Sequence, residues 1–199
     1  MRSIAGTNIY VSNDTLQGYA VEGIVTSSGT LPTTASTFAV GCTLYNTETG
    51  VVWVNAGTVA VPVWVSKSIT KRISLTAAQL IAMYAAPVEL IPAVPGYAII
   101  IDSFDFDITR TSTAFTGGGV VAPQLAATAN GAGTALTATI AATVVTGAAG
   151  RTLTARIPVV LSDIATASIT GIGVYISNQT AAFAAGTGTA DVTITYHLV

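Results

Sequence analysis

Few side chains in this sequence could carry chemistry. The one histidine, His197, stands close to the end of the chain. Any Ser-His-Asp or Cys-His site would have to use it, with an activated serine or cysteine beside it. It falls on the outward side of a regularly alternating terminal run, which suits a solvated or interface histidine. The one cysteine, Cys42, has no partner motif nearby and reads as a small core hydrophobe. A single thiol leaves no intramolecular disulfide and no thiolate metal cluster. Asp105 and Asp107 lie two apart, so strand geometry would set their side chains roughly 7 Å apart on one face. Two carboxylates at that distance could hold a cation or share acid–base work. No Asn/Gly calcium-loop spacing surrounds them, and Phe104 and Phe106 alternate with them. The expectation is a solvated face opposite a buried aromatic one, with Arg110 placed to neutralise Asp107.

The glycine clusters do not form a phosphate site. Gly117-Gly118-Gly119 precedes a strand pattern, whereas a phosphate loop opens a helix; it reads as a turn. Gly171 and Gly173 suggest a bulge or a close backbone approach. Asn13-Asp14-Thr15 and Asn178-Gln179-Thr180 match the glycosylation sequon, but residues 1–8 contain no h-region, so a signal peptide and export are not expected. No catalytic, cofactor-binding or metal-ligating residue is assigned, and the chain is expected not to be an enzyme.

Composition points the same way. Charged residues make up 8% of the chain, against a norm of about 25%. Thr and Ala replace them, and such surfaces are tolerated in subunit interfaces. The net charge of −2 gives no electrostatic footprint for nucleic acid. Three of the 7 basic residues, Lys67, Lys71 and Arg72, cluster, which reads as a solvated hinge. Apolar stretches are broken by Pro, Gly, Asp or Thr before they reach the ~18–20 residues of a spanning helix, so no membrane partner is expected.

The elements that would position these residues are mostly strands. Residues 1–66 read as short strands and turns, with a Ser/Thr/Pro linker over 29–36. Thr43-Leu44-Tyr45-Asn46 and Val51-Val52-Trp53-Val54-Asn55 flank Thr47-Glu48-Thr49-Gly50 as a hairpin. Residues 74–84 are the one good helix, capped by Ser74 or by Thr76 in a capping box with Gln79, and ended by Pro87. From Val88 onward strand follows strand. Phe104, Phe106 and Ile108 face one way, and 136–145 reads as a Thr/Ala strand or strand pair. Over 152–161, Leu153, Ala155, Ile157, Val159 and Leu161 share one face. The last run is the most regular, with Ala190, Val192, Ile194, Tyr196 and Leu198 inward. The expected architecture is all-β: an antiparallel jelly-roll or β-sandwich domain over 74–199, a hinge at 67–73, and an N-terminal β-hairpin-containing arm or small domain over 1–66.

Two stretches carry a resemblance. Leu75-Thr76-Ala77-Ala78-Gln79-Leu80-Ile81-Ala82-Met83-Tyr84-Ala85-Ala86-Pro87-Val88-Glu89-Leu90-Ile91 is followed by Pro95-Gly96, Ile101-Asp102 and Thr113-Ala114-Phe115-Thr116-Gly117-Gly118-Gly119. Gly186-Thr187-Gly188-Thr189 with Val192, Ile194 and Tyr196 closes the series. This order resembles a β-domain of tailed-bacteriophage capsid decoration or cement proteins, which are head fibre-like. Phe38-Ala39-Val40-Gly41-Cys42 with Trp53-Val54-Asn55-Ala56-Gly57-Thr58 is similar to a glycine-turn element of phage decoration proteins and fibres. The resemblance implies a homotrimeric virion component on the capsid surface, with the major capsid protein as partner. A head- or tail-fibre protein that binds a host receptor or carbohydrate is the alternative, for which Tyr10, Tyr19, Tyr45, Trp53 and Trp64 are the candidate contacts. A carbohydrate-processing β-protein would need two carboxylates about 5–10 Å apart, and only Asp105 and Asp107 offer them.

Overall fold

The computed structural model describes residues 2–3, 10–11, 22–25, 31, 38, 40–46, 51–156 and 168–199. The protein is mostly β, with several antiparallel sheets and sandwich packing, as expected. It divides into two compact units, Met1–Ile69 with Leu198–Val199, and Thr70–His197.

The first unit holds a two-stranded sheet of β1 (Arg2–Ser3) and β2 (Tyr10–Val11). Its second sheet has the order β3-β4-β5-β6, made of Glu22–Val25, Thr43–Asn46, Val52–Asn55 and Trp64–Ser66. β3 runs parallel to β4, and the remaining pairs are antiparallel. The β4–β5 pair is the hairpin expected from the sequence; its turn, 47–50, lies outside the described residues, as does the 29–36 linker apart from Leu31. Cys42, Leu44 and Trp53 are buried, and Phe38 packs edge-on against Trp64 with ring centroids 5.3 Å apart.

The second unit opens with β7 (Ile69–Thr76) and α1 (Ala77–Ala82). The capping box is present. Gln79 N–H donates to the Thr76 hydroxyl, and Thr76 N–H donates to the Gln79 side chain. The helix therefore begins at 77 and not at 74. Leu75, expected on the helix, is a fully buried residue of β7. Residues 69–73 of the expected hinge also lie in that strand.

Two sheets then organise this unit. One has the order β12-β9-β15-β7 and contains β9 (Ile99–Arg110), β12 (Gly150–Arg156) and β15 (Gly188–Leu198). The other has the order β11-β13-β8 and contains β8 (Val88–Ile91), β11 (Val121–Leu125) and β13 (Val174–Asn178). A short pair, β10 (Thr116–Gly117) with β14 (Phe183–Ala185), brings Phe115 against Phe183. The glycine turn beyond β10 is close-fitted: Gly118 has φ +79°, and a Cβ there would fall 2.0 Å from the Phe183 ring. A Cβ on Gly173 would meet the Ile91 carbonyl at 2.8 Å, the close backbone approach expected there.

Inward faces follow the alternation for β15, where Ala190, Val192, Ile194, Tyr196 and Leu198 are all buried. They do so for Phe104, Phe106 and Ile108 of β9 as well. On β12 the face shared by Leu153 and Ala155 is the outward one. Leu153 is 64% exposed and Ala155 is exposed, while Thr152 and Thr154 are half-buried. Register gives the reason: Leu153 lies opposite Asp107 and Ala155 opposite Asp105, so both share the outward face of β9. Ile157, Val159 and Leu161 lie outside the described residues.

The expected strand over 136–145 is corrected too. Residues 142–146 form a second helix, α2 (Ala142–Thr146), with Val145 buried. Arg110 explains how so short a helix persists. It occupies the inward series of β9 and is 8% exposed. Its Nε donates to the Ala148 carbonyl at 2.7 Å, Nη1 donates to the Val144 carbonyl, and Nη2 donates to the Thr152 hydroxyl at 2.8 Å. A cation on the last carbonyls of a helix satisfies acceptors that have no intrahelical donor. Arg110 therefore does not neutralise Asp107, which faces the other way.

Candidate interaction surface

The first unit carries an exposed apolar sheet face. In β5 and the segment that leads into β6, side chains alternate. Trp53 and Asn55 point into the unit, while Val52, Val54, Val61, Val63 and Val65 point away. Val54 lies between Thr43 and Val65, and Val52 lies opposite Tyr45. Val61, Val63 and Val65 are 65%, 51% and 42% exposed, and Tyr45 is 43% exposed. Lys67 adjoins this face, its N–H bonded to the Val52 carbonyl, and register places Glu22 of β3 beside Thr43 in the same cross-strand row as Val54 and Val65.

Asn55 holds the hairpin that presents these valines. It is fully buried, and its Nδ2 donates to the Phe38 carbonyl at 3.0 Å. Its Oδ1 accepts from Gly57 N–H at 2.9 Å and from Val63 N–H at 3.0 Å. Thr58 N–H donates to the Val61 carbonyl, and Val61 N–H donates to the Thr58 hydroxyl. Internal acceptors thus use the Ala56, Gly57, Thr58, Val61 and Val63 donors, and Pro62 has none to offer.

The outward face of β12-β9-β15-β7 in the second unit is of another kind. Its side chains are mostly small and polar, and Asp102, Asp107 and Asp191 are paired across strands. Arg151 grips Asp107 with Nε at 2.8 Å from Oδ1 and Nη2 at 2.5 Å from Oδ2. Arg72 meets Asp191 at 2.6 Å, and the Ser74 hydroxyl donates to the same carboxylate. Thr70 and Thr195 hydroxyls bond at 2.9 Å. His197 Nδ1 lies 2.8 Å from Asp102 Oδ1. Asp102 reaches that face through a local irregularity of β9. Inward positions pass from Ile99 and Ile101 to Phe104 and Phe106 across two successive exposed residues, Asp102 and Ser103, as a bulge requires.

Hydrogen bonding from Arg151 holds the Asp107 carboxyl below its ordinary range. Bonds from Ser74 first, and Arg72 second, do the same for Asp191. Burial, followed by the bond to Glu89, raises the Tyr175 phenol.

Asp105 and Asp107 share the outward face, as expected, and Arg151 takes the place foreseen for Arg110. Of the candidate aromatic contacts, Trp53 is buried, Trp64 packs on Phe38, and Tyr45 is open. Tyr19 and the Tyr10 side chain lie outside what is described. In the sequence, Gly57 and Pro62 interrupt the stretch that forms the valine face. The alternation at 61, 63 and 65, set against Val52 and Val54, is the signal that would have found it.

No protein-family model, no curated protein and no solved structure matches this chain.

Proposed function

We propose that this chain is a non-enzymatic virion structural protein. In this reading it decorates and cements a tailed-bacteriophage capsid as a homotrimer in contact with the major capsid protein, and its second unit is a jelly roll. The valine face is the observation that carries the proposal. A lone chain gains nothing from leaving five valines of one face partly in water, whereas a component of a shell covers them. The paired charges on the outward face of the second unit add support. With each ion pair closed within the chain, contacts with a shell would depend on shape and apolar burial, multiplied by avidity over a symmetric lattice. Tyr45, exposed beside that face, favours the fibre reading as the second possibility, since exposed tyrosine is a common receptor contact.

The test is co-sedimentation of the purified protein with emptied phage heads stripped of surface proteins, in parallel with intact host cells. Saturable binding to heads that survives high salt is expected. Binding to cells, with none to heads, would replace this reading with the fibre one.

A further inference from the structure

We infer that Asn130 is a self-modification site: its side-chain amide is lost to attack by the Gly131 nitrogen, which leaves aspartate or isoaspartate in the turn. This chemistry stands apart from the virion reading and needs no partner.

The sequence selects the residue. The chain has six asparagines, and Asn130 alone precedes a glycine. The others precede Ile9, Asp14, Thr47, Ala56 and Gln179. A glycine nitrogen has no neighbouring Cβ to screen it from the asparagine Cγ.

Local structure leaves both reacting groups available. Asn130 and Gly131 have φ +58° and +71°, and Ala132 N–H donates to the Ala129 carbonyl at 3.3 Å, so the two are the central pair of a type I′ turn. Asn130 is exposed. Among the described residues, neither its carboxamide nor the Gly131 N–H meets a hydrogen-bond partner. Swinging the Gly131 nitrogen onto Cγ sacrifices only the long turn bond.

The step balances within the chain. The Gly131 nitrogen bonds to Cγ and gives up its proton, the Cγ–Nδ2 bond breaks, and Nδ2 leaves with that proton as ammonia. Water then opens the succinimide. Attack at Cγ restores the main chain with aspartate. Attack at the Asn130 carbonyl carbon routes the main chain through Cβ and Cγ as isoaspartate.

Packing gives the second product a consequence. Asn130 N–H is anchored on the Tyr84 carbonyl at 2.7 Å, and a Cβ on Gly131 would lie 2.0 Å from the Gln179 carbonyl oxygen. A lengthened main chain cannot keep both seats. The loop over 126–133 is closed by Leu125 N–H on the Thr134 carbonyl and spanned by the Gln124 amide, which donates to Ala126 and Thr128. Isoaspartate unfastens it at the tip.

Full-length protein held in mildly alkaline buffer tests this, with peptide mass mapping and an isoaspartate-specific methyltransferase as readouts. The peptide that holds Asn130 should gain the mass difference between NH2 and OH and accept methyl groups, while ammonia is released. Peptides with the other asparagines should lag behind it. Asn130→Gly, which suits a positive φ, should fold and release no ammonia over the same time. The rate should be unchanged by urea below the unfolding transition. An unconverted Asn130, equal conversion of the other asparagines, or a rate that climbs with the unfolded fraction would overturn the assignment. Amide exchange at 126–133 should quicken in the isoaspartate form, and unchanged exchange would overturn the unfastening.

Discussion

Replacing Asn178 with leucine should make the protein more stable. Asn178 ends β13 and is fully buried, on the inward series with Val174 and Ile176 and opposite Val121. Among the described residues neither its Nδ2 nor its Oδ1 has a hydrogen-bond partner, although its backbone carbonyl accepts from the Ser177 hydroxyl. A buried amide without partners costs about 1–3 kcal/mol. Leucine has the same branched skeleton with bulkier ends, so repacking should return about 1 kcal/mol of that. The net gain is up to about 2 kcal/mol, which for a unit of this size raises Tm by up to about 8 °C. Urea unfolding followed by circular dichroism measures it, with an unchanged m-value as the check that both states are comparable. Asn55→Leu is the control of opposite sign. That amide donates to Phe38 and accepts from Gly57 and Val63, so its loss should cost about 2–4 kcal/mol. An Asn178→Leu protein destabilised by about 1 kcal/mol or more, at constant m, would refute the reasoning. It would mean that the amide is hydrogen-bonded in the folded protein.

Three further outcomes follow from the second unit. Ile194→Asp buries a carboxylate at a fully buried position of β15 and should abolish folding, while Thr193→Asp on the opposite face should be tolerated; soluble yield and circular dichroism report both. Asp107 and Asp191 should titrate below the ~3.9 of a free aspartate when followed by carboxyl carbon NMR. Because their folded values are depressed, their contribution to stability is complete above the unfolded value and fades as pH falls through the folded ones. Arg151→Gln should move the Asp107 midpoint up towards the ordinary value, and no movement would show that the pair is not formed in solution. Arg110→Met removes the donors to Val144 and Ala148, so amide exchange at 142–146 should quicken severalfold while β9 and β15 stay protected. Uniform quickening across the unit would mean that Arg110 supports the whole core.

What the sequence disclosed depended on how many neighbours confirmed each local pattern. β15 was legible because five inward positions repeat without interruption, and the start signal of α1 because Thr76 and Gln79 form a cap on their own. For Leu153 and Ala155 the shared face was legible, but period two does not say which face is inward. Pairing with β9 decides that, and it is a long-range fact. Arg110 is a similar case. Its parity with Phe104, Phe106 and Ile108 was visible, but its acceptors come from a helix the Thr/Ala-rich sequence did not announce. The valine face shows the reverse failure: the alternation was present in the sequence, but a glycine and a proline drew attention away from it.

The central claim, that this chain cements a capsid, is tested most directly by the temperature at which phage heads open with and without it. A ligand that binds only the intact shell stabilises it by about 2.7 kcal/mol per site at a hundredfold excess over Kd. Summed over a lattice, that should raise the temperature of genome release by several degrees in a saturable, salt-insensitive way. Heads that bind the protein yet open at an unchanged temperature would contradict the account.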